Sequence, residues 1–178
     1  KISNFQKKDI NSWIKKSRDW KEKYDIKSTE QKISNNVIDA YSFIGFLSDI
    51  AGPGETIVVD EGGNLVWTMQ SWNVKDNQRI FSTFGNSPMG YALPAAIGAS
   101  VALGKKQIIC IDGDGGFQLN IQELQTIKHH NLPVKIFILN NRSMGIIKQF
   151  QDLNFNSRYY ASNPDGGYSS PDFVAVAK

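Results

Sequence analysis

The chain is poor in the features that mark secreted and membrane proteins. It has one cysteine, Cys110, in 178 residues. It can close no internal disulfide, which fits a reducing cytoplasm. Cys110 lies in the apolar run 108–111, where a buried inert thiol is expected instead of a nucleophile. No apolar run approaches the roughly 18 residues of a membrane span, and the start lacks the layout of a signal peptide. Charge of one sign is also scarce, the formal net charge being +3. What imbalance exists is local: residues 1–32 carry ten Lys/Arg against five Asp/Glu, and the remaining 146 are slightly acidic at −2. That excess falls on a stretch with helical patterning, not on a groove of basic residues and base-stacking aromatics, so neither nucleic acid nor membrane is an expected partner.

What is present suits one domain with a sizeable core, since 40% of the residues are hydrophobic. No internal repeat or low-complexity tract appears. The chain begins with Lys1 instead of methionine and stops at Lys178, where residues 171–177 pattern as the start of a helix. A piece of a longer polypeptide is therefore expected, and a lysine at each end would suit a trypsin-like cut. Intact mass of the natural product tests this.

Trp13, Ile14, Ser17, Trp20 and Tyr24 fall at helical spacing in a Lys-rich background and predict an amphipathic helix about four turns long. Residues 25–34 are polar and unpatterned. We assign 1–34 to this helix and a linker from a preceding domain, and 35–178 to the main domain, truncated at its C-terminal end. A second helix is expected from Asn35 or Asn36, burying Val37, Tyr41, Ile44, Leu47 and Ile50 until Gly52-Pro53-Gly54 stops it. Strand and helix then alternate. Strands are predicted at 56–60, 79–82, 107–111 and 135–139, and helices at 64–71, 89–102, 121–130 and 143–150. Such alternation implies an α/β fold, a parallel sheet with helices on both faces. In open sheets of this kind ligands bind beyond the carboxyl ends of the strands, where Asp60, Asp114 and Asn141 fall.

Two turns there carry chemistry. The strand 107–111 leads through Asp112 to Gly113-Asp114-Gly115-Gly116, and twenty-four residues separate Gly115 from Asn140-Asn141 at the end of the next strand. Taken singly, Asp-Gly and Asn-Asn are ordinary loop punctuation. Together they offer backbone N–H groups of Gly115 and Gly116 to a phosphate, and two hard oxygens, from Asp114 and Asn141, to a cation. Magnesium takes about six oxygens and draws several from phosphate and water, so one carboxylate and one amide form a sufficient protein share. A dinucleotide fingerprint fails here, because it needs a further glycine where Phe117-Gln118-Leu119 stand.

The Gly113-Asp114-Gly115 to Asn140-Asn141 motif resembles that of thiamine diphosphate enzymes. The resemblance runs from about Trp13 to Lys178 and is nearest to acetolactate synthase large subunits in the pyruvate-oxidase-like group. It is carried further by Asp60-Glu61-Gly62 with Trp67 and Gln70, by residues 89–98, 120–124 and 131–134, and by residues 145–149. It implies the diphosphate-binding domain of that fold, with Mg2+ held by Asp114, Asn141 and the backbone carbonyl of Ser143. The diphosphate is then contacted around Glu61, Gly62, Gly63, Asn64, Gly113, Gly115 and Gly116, with Gly145 and Ile146 also at the cofactor. Relatives often carry serine at the place of Gly116, and Val-Gly-Gln-His where this chain has Glu61-Gly62-Gly63-Asn64. An amide N–H of Asn64 can still serve a phosphate.

The resemblance also makes Met89, otherwise a core filler, a wedge that bends the cofactor, with the carbonyl of Ser87 accepting from its amino group. Here Ser87-Pro88 replaces the family's small Gly-Ala pair. Ile147 and Phe150 would line the substrate pocket, Phe150 standing where acetolactate synthases have tryptophan. Lys148 is expected to be solvated, and His129 and His130 to close a helix without catalytic role. No catalytic residue is expected in this chain. The activating glutamate belongs to a separate pyrimidine-binding domain, and Glu61 is not it.

The expected function is thus the cofactor domain of a decarboxylating carboligase that takes a 2-oxo acid such as pyruvate as donor. The resemblance further implies a full-length protein that is a homodimer or homotetramer, and a fragment that is inactive alone. FAD occurs in this group, but nothing in this chain calls for it. Two alternatives are a simple 2-oxo acid decarboxylase, favoured by Phe150 and Asn64, and a non-catalytic cofactor-binding subunit.

Overall fold

A computed structural model describes residues 9–24 and 37–178. The expected linker at 25–34 and the helix start at Asn35 or Asn36 lie outside the described residues. Within them the chain runs α1 (Asn11–Lys23), α2 (Ala40–Ile50), β1 (Thr56–Val59), α3 (Gly63–Ser71), β2 (Arg79–Phe81), α4 (Ala92–Ala102) and β3 (Ile108–Gly113). It continues through α5 (Asp114–Leu119), a 3-10 turn (Ile121–Glu123), α6 (Leu124–His130), β4 (Val134–Leu139), α7 (Gly145–Asn154), a second 3-10 turn (Pro164–Gly166) and α8 (Phe173–Ala177).

The four strands form one sheet in the order β2-β1-β3-β4, every pair parallel. Val58 pairs with Cys110, and Cys110 with Ile136, so the register aligns the three apolar runs. Successive side chains alternate between faces. Ile57, Val59, Ile109 and Ile111 join Ile44, Leu47 and Trp72 on the side of α2 and α3. Val58, Ile108 and Cys110 meet Ala92 and Ala96 of α4 on the other. Both faces being covered explains why these strands read as continuous apolar runs instead of alternating ones. Each fully buried Ile or Val contributes roughly 1.5–3 kcal/mol. The expected α/β architecture with a parallel sheet is what the chain adopts.

Several boundaries differ from the sequence reading, each for a local reason. Helix α2 begins at Ala40, where the Asp39 side chain accepts from the Ser42 N–H at 2.8 Å. Val37 and Ile50, expected in the core, are both more than half exposed, and Tyr41 is half-buried. Met89 lies before α4 instead of inside it, because Gly90 turns the chain with φ +82°. A side chain there would meet Leu119 and Asn120, so only glycine fits. The segment expected as helix 121–130 opens as a 3-10 turn before α6. Helix α7 starts two residues late, after the Asn140 and Asn141 side chains accept from the N–H groups of Arg142 and Ser143 at 3.0 Å each. It then runs on to Asn154, four residues beyond the expected end. The helix expected after Pro171 is α8, capped by Asp172. Helix α1 is present as expected, and none of its residues is buried.

Candidate functional site

Strands β1, β3 and β4 each end into a helix: β1 into α3, β3 directly into α5, and β4 through a short loop into α7. The three starts surround a cleft of about 460 Å³. None of them carries a side-chain cap. Helices α2 and α8 are instead capped by Asp39 and Asp172. First-turn N–H groups have no partner inside a helix and carry partial positive charge. The cleft therefore gathers three sets of free donors, the arrangement an anion requires.

Oxygen atoms of the kind a hard cation takes stand beside these donors. Asp114, Asn141 and Ser143 all line the cleft. Asp114 is 2% exposed, and its Oδ2 accepts the Tyr168 hydroxyl at 2.8 Å. Burial, followed by the hydrogen bond to Asp114 and its charge, pushes the Tyr168 phenol above its ordinary value. Among the described residues no three His, Cys, Asp or Glu side chains cluster as a metal site. Asp60 and Glu61 also line the cleft, Asp60 engaged by the N–H groups of Gly90 and Ala92; Asp114, the amide oxygen of Asn141 and the carbonyl of Ser143 are the donors singled out from sequence. That hard, sparse donor set fits a cation that takes its remaining oxygens from a diphosphate and water. The Gly115 backbone lies bare between two cleft-lining methionines, a Cβ there being 2.6 Å from Met144 Sδ and 3.3 Å from Met89 Cε, the ends of flexible side chains.

Of the residues singled out from sequence, Glu61, Gly62, Gly63, Asn64, Met89, Gly113, Asp114, Gly115 and Gly116 all line this cleft. So do Asn141, Ser143, Gly145, Ile146 and Ile147. Two of the named residues do not. Ser87 has φ +40° and donates its hydroxyl to the Phe84 carbonyl. Phe150 is 58% exposed and packs against Phe155 at 5.9 Å. Asn64 uses one amide hydrogen on the Asp60 carbonyl at 3.1 Å, leaving one for a ligand. Lys148, expected to be solvated, pairs with Asp152 at 2.9 Å and contacts the Tyr159 hydroxyl at 3.3 Å. The hydrogen bonds to Tyr159 and Lys148 hold Asp152 down at about 2. His129 and His130 sit in the last turn of α6 and stack on each other. Cys110 is fully buried, and burial together with the charges of Asp112 and Asp60 pushes its thiol well up.

Sequence reasoning missed Tyr41, Met144, Asp112 and Tyr168. Tyr41 was assigned to the core by helical spacing but lines the cleft, as does Met144. Asp112 and Asp60 form a buried acid pair behind the cleft. Asp60 accepts from the N–H groups of Gly90 and Ala92 at 3.1 and 2.9 Å, and Asp112 from that of Gly113 at 2.8 Å. Asp112 Oδ2 finds no donor among the described residues. A proton held between the two carboxyls removes that deficit. Burial first, then the charge and hydrogen bond of Asp60, raise Asp112 from 3.8 to about 9. The folded chain thus keeps a proton that the unfolded chain releases. The associated stability is complete below 3.8 and lost as pH climbs toward about 9. In metal-free buffer the urea midpoint should fall between about pH 5 and about pH 8, and fall less in Asp112→Asn. Parallel profiles for the two chains would show that Asp112 does not hold this proton.

No helix of the described residues is long and apolar enough to cross a membrane. Residues 60–178, more than half of the chain, match the family model for the thiamine pyrophosphate enzyme C-terminal TPP binding domain. Acetolactate synthase large subunit of Cyanidium caldarium is 35% identical over 175 residues, covering 98% of this chain and 29% of the relative. The large subunit of Buchnera aphidicola subsp. Schizaphis graminum is 36% identical, covering 95% and 28%. Acetolactate synthase 1, chloroplastic, of Zea mays is 37% identical, covering 94% and 28%. The chain spans less than a third of the length of these relatives.

Proposed function

This chain belongs to the thiamine pyrophosphate enzymes, through their C-terminal cofactor-binding domain, and on that premise we propose that its cleft clamps the diphosphate of thiamine diphosphate (the same cofactor) through Mg2+. The observation that carries the reading is the convergence of three uncapped helix starts with Asp114 and Asn141 in one cleft. Asp114, the amide oxygen of Asn141 and the carbonyl of Ser143 hold the metal. N–H groups of Gly63, Asn64, Gly115, Gly116, Gly145 and Ile146 neutralise the phosphate charge. Met89 and Met144, which line the cleft beside Gly115, would press on the bound cofactor, and Trp67 and Ile147 add apolar lining.

When bound, the cofactor supplies the carbon nucleophile and electron sink for decarboxylating a 2-oxo acid, and the protein positions it. For the full-length protein the reading is a decarboxylating carboligase like the relatives named acetolactate synthase, with pyruvate as donor. The domain would work against a pyrimidine-binding domain of another subunit, so the full-length protein is a homodimer or homotetramer and this chain alone is inactive. Residues 1–34 then connect to a preceding domain, and the working compartment is the cytoplasm. The simple decarboxylase remains the second reading because Phe150 stays outside the cleft. Full-length protein supplied with pyruvate, Mg2+ and thiamine diphosphate is expected to yield a carbon–carbon ligation product. Acetaldehyde and carbon dioxide alone would select the decarboxylase, and no turnover with the cofactor bound would select the non-catalytic binding subunit.

A further inference from the structure

Asp114 is held by a residue that lies 54 positions along the chain and is not among those lining the cleft. Tyr168 follows the 3-10 turn at Pro164–Gly166, and its ring is buried. Its hydroxyl donates to Asp114 Oδ2 at 2.8 Å while receiving the Gln118 amide at 3.1 Å. With its acceptor role filled by Gln118, the phenol is oriented as a donor to the carboxylate. No hydrogen bond among the described residues reaches Asp114 Oδ1.

The turn that presents Tyr168 is itself fixed. The Tyr168 N–H donates to the Asn163 carbonyl at 2.9 Å, and the Asn163 side chain accepts from Gly166 N–H at 2.8 Å. The same segment reaches the loop after β4, where the Met144 N–H donates to the Ser162 carbonyl at 2.9 Å. One stretch of chain therefore braces both sides of the metal-ligand set.

Resting on the diphosphate–magnesium reading above, we propose that Tyr168 is a positioning residue that occupies one oxygen of Asp114, leaves the other for the cation, and thereby favours Mg2+ over Ca2+. Magnesium demands a near-ideal octahedron in which a carboxylate gives one oxygen. Calcium takes more ligands and accepts both oxygens of a carboxylate. Groups that orient a metal ligand from behind are worth about 10- to 100-fold in metal affinity.

The test compares full-length parent, Tyr168→Phe and Asp114→Ala. Thiamine diphosphate binding is followed by tryptophan fluorescence, since Trp67 lines the cleft, at increasing Mg2+ or Ca2+. In Tyr168→Phe the Mg2+ needed for half-saturation should rise about tenfold, while the Ca2+ requirement changes less. Thermal stability without metal should stay close to the parent's, because the ring still packs. An unchanged Mg2+ requirement, or equal rises for both ions, overturns the proposal, since lost packing alone would affect both ions alike. If Tyr168→Phe does not fold, Gln118→Leu serves in its place. It frees the phenol, and the same bias toward Ca2+ is expected, with its absence counting against the proposal. Binding that needs no metal in the parent and survives Asp114→Ala would overturn the clamp itself, and this inference with it. Metal-dependent binding in the parent with no change in Tyr168→Phe would overturn this inference alone.

Discussion

Asp114→Ala should abolish metal-dependent binding of thiamine diphosphate while leaving the chain folded. Asp114 is the one carboxylate proposed for the metal, and Asn141 and Ser143 contribute only neutral oxygens. Without the negative charge, a magnesium ion gains too little from the protein to repay the partial loss of its hydration shell. The loss in apparent metal affinity should exceed about a hundredfold, since even groups that only support a metal ligand reach that scale. The fold should survive, because the deleted charge lies close to a strained acid pair. Asp114 is itself one of the charges that raise Asp112, so removing it relieves that repulsion. Against this stands the Tyr168 hydroxyl, left without its acceptor at a cost of roughly 1–3 kcal/mol. Calorimetric titration of full-length protein with thiamine diphosphate, with and without Mg2+, measures the binding, and circular dichroism checks the fold. Undiminished Mg2+-dependent binding in the variant would place the metal elsewhere.

The second large effect is on stability. A Cβ at Gly116 would sit 2.1 Å from Asp60 Oδ2 and 2.7 Å from Asp112 Oδ1. Neither carboxyl can swing aside cheaply. Asp60 is tied to the N–H groups of Gly90 and Ala92, and Asp112 to that of Gly113. Gly116→Ala should therefore cost roughly 3 kcal/mol or more, at the upper end of overpacking effects. Gly98 makes the control, because it lies inside α4 with nothing within 4 Å of an added Cβ. There Gly98→Ala should stabilise by roughly 0.5–1 kcal/mol through helix propensity. Urea midpoints for both variants decide it, and equal midpoints would mean that the acid pair yields more readily than its hydrogen bonds imply. The same crowding bears on the serine that the family resemblance leads one to expect at this position. In this chain it would have to displace an acid pair before it could reach a diphosphate.

Much of this was legible in the chain because strands covered on both faces write themselves as apolar runs. Runs 56–59, 108–111 and 134–139 announced β1, β3 and β4, and their turns announced where ligands would sit. Helix α5 was not legible. Asp114-Gly115-Gly116 has poor helix propensity and the vocabulary of a turn, yet the six-residue helix forms, with Phe117 buried and stacked edge-on to Phe173. Tertiary packing overrides propensity there. Likewise, α7 was expected to end at Phe150, but it runs on to Asn154 because no helix-breaking residue stands between.

By itself the sequence determined the α/β class and the strand ends that meet at the site, and its resemblance pointed to the family and to the oxygen donors proposed at Asp114, Asn141 and Ser143. The class and the strand ends are local matters, set by apolar runs and turn residues. Only the tertiary structure decided that three helix starts remain uncapped around one cleft, that Ser87 and Phe150 lie outside it, and that Asp60 and Asp112 confront each other beneath Gly116. It also decided that Tyr168 reaches Asp114 across 54 positions. No periodicity encodes such a contact, because it arises from how separate elements pack and from which buried polar groups must find partners once water is gone.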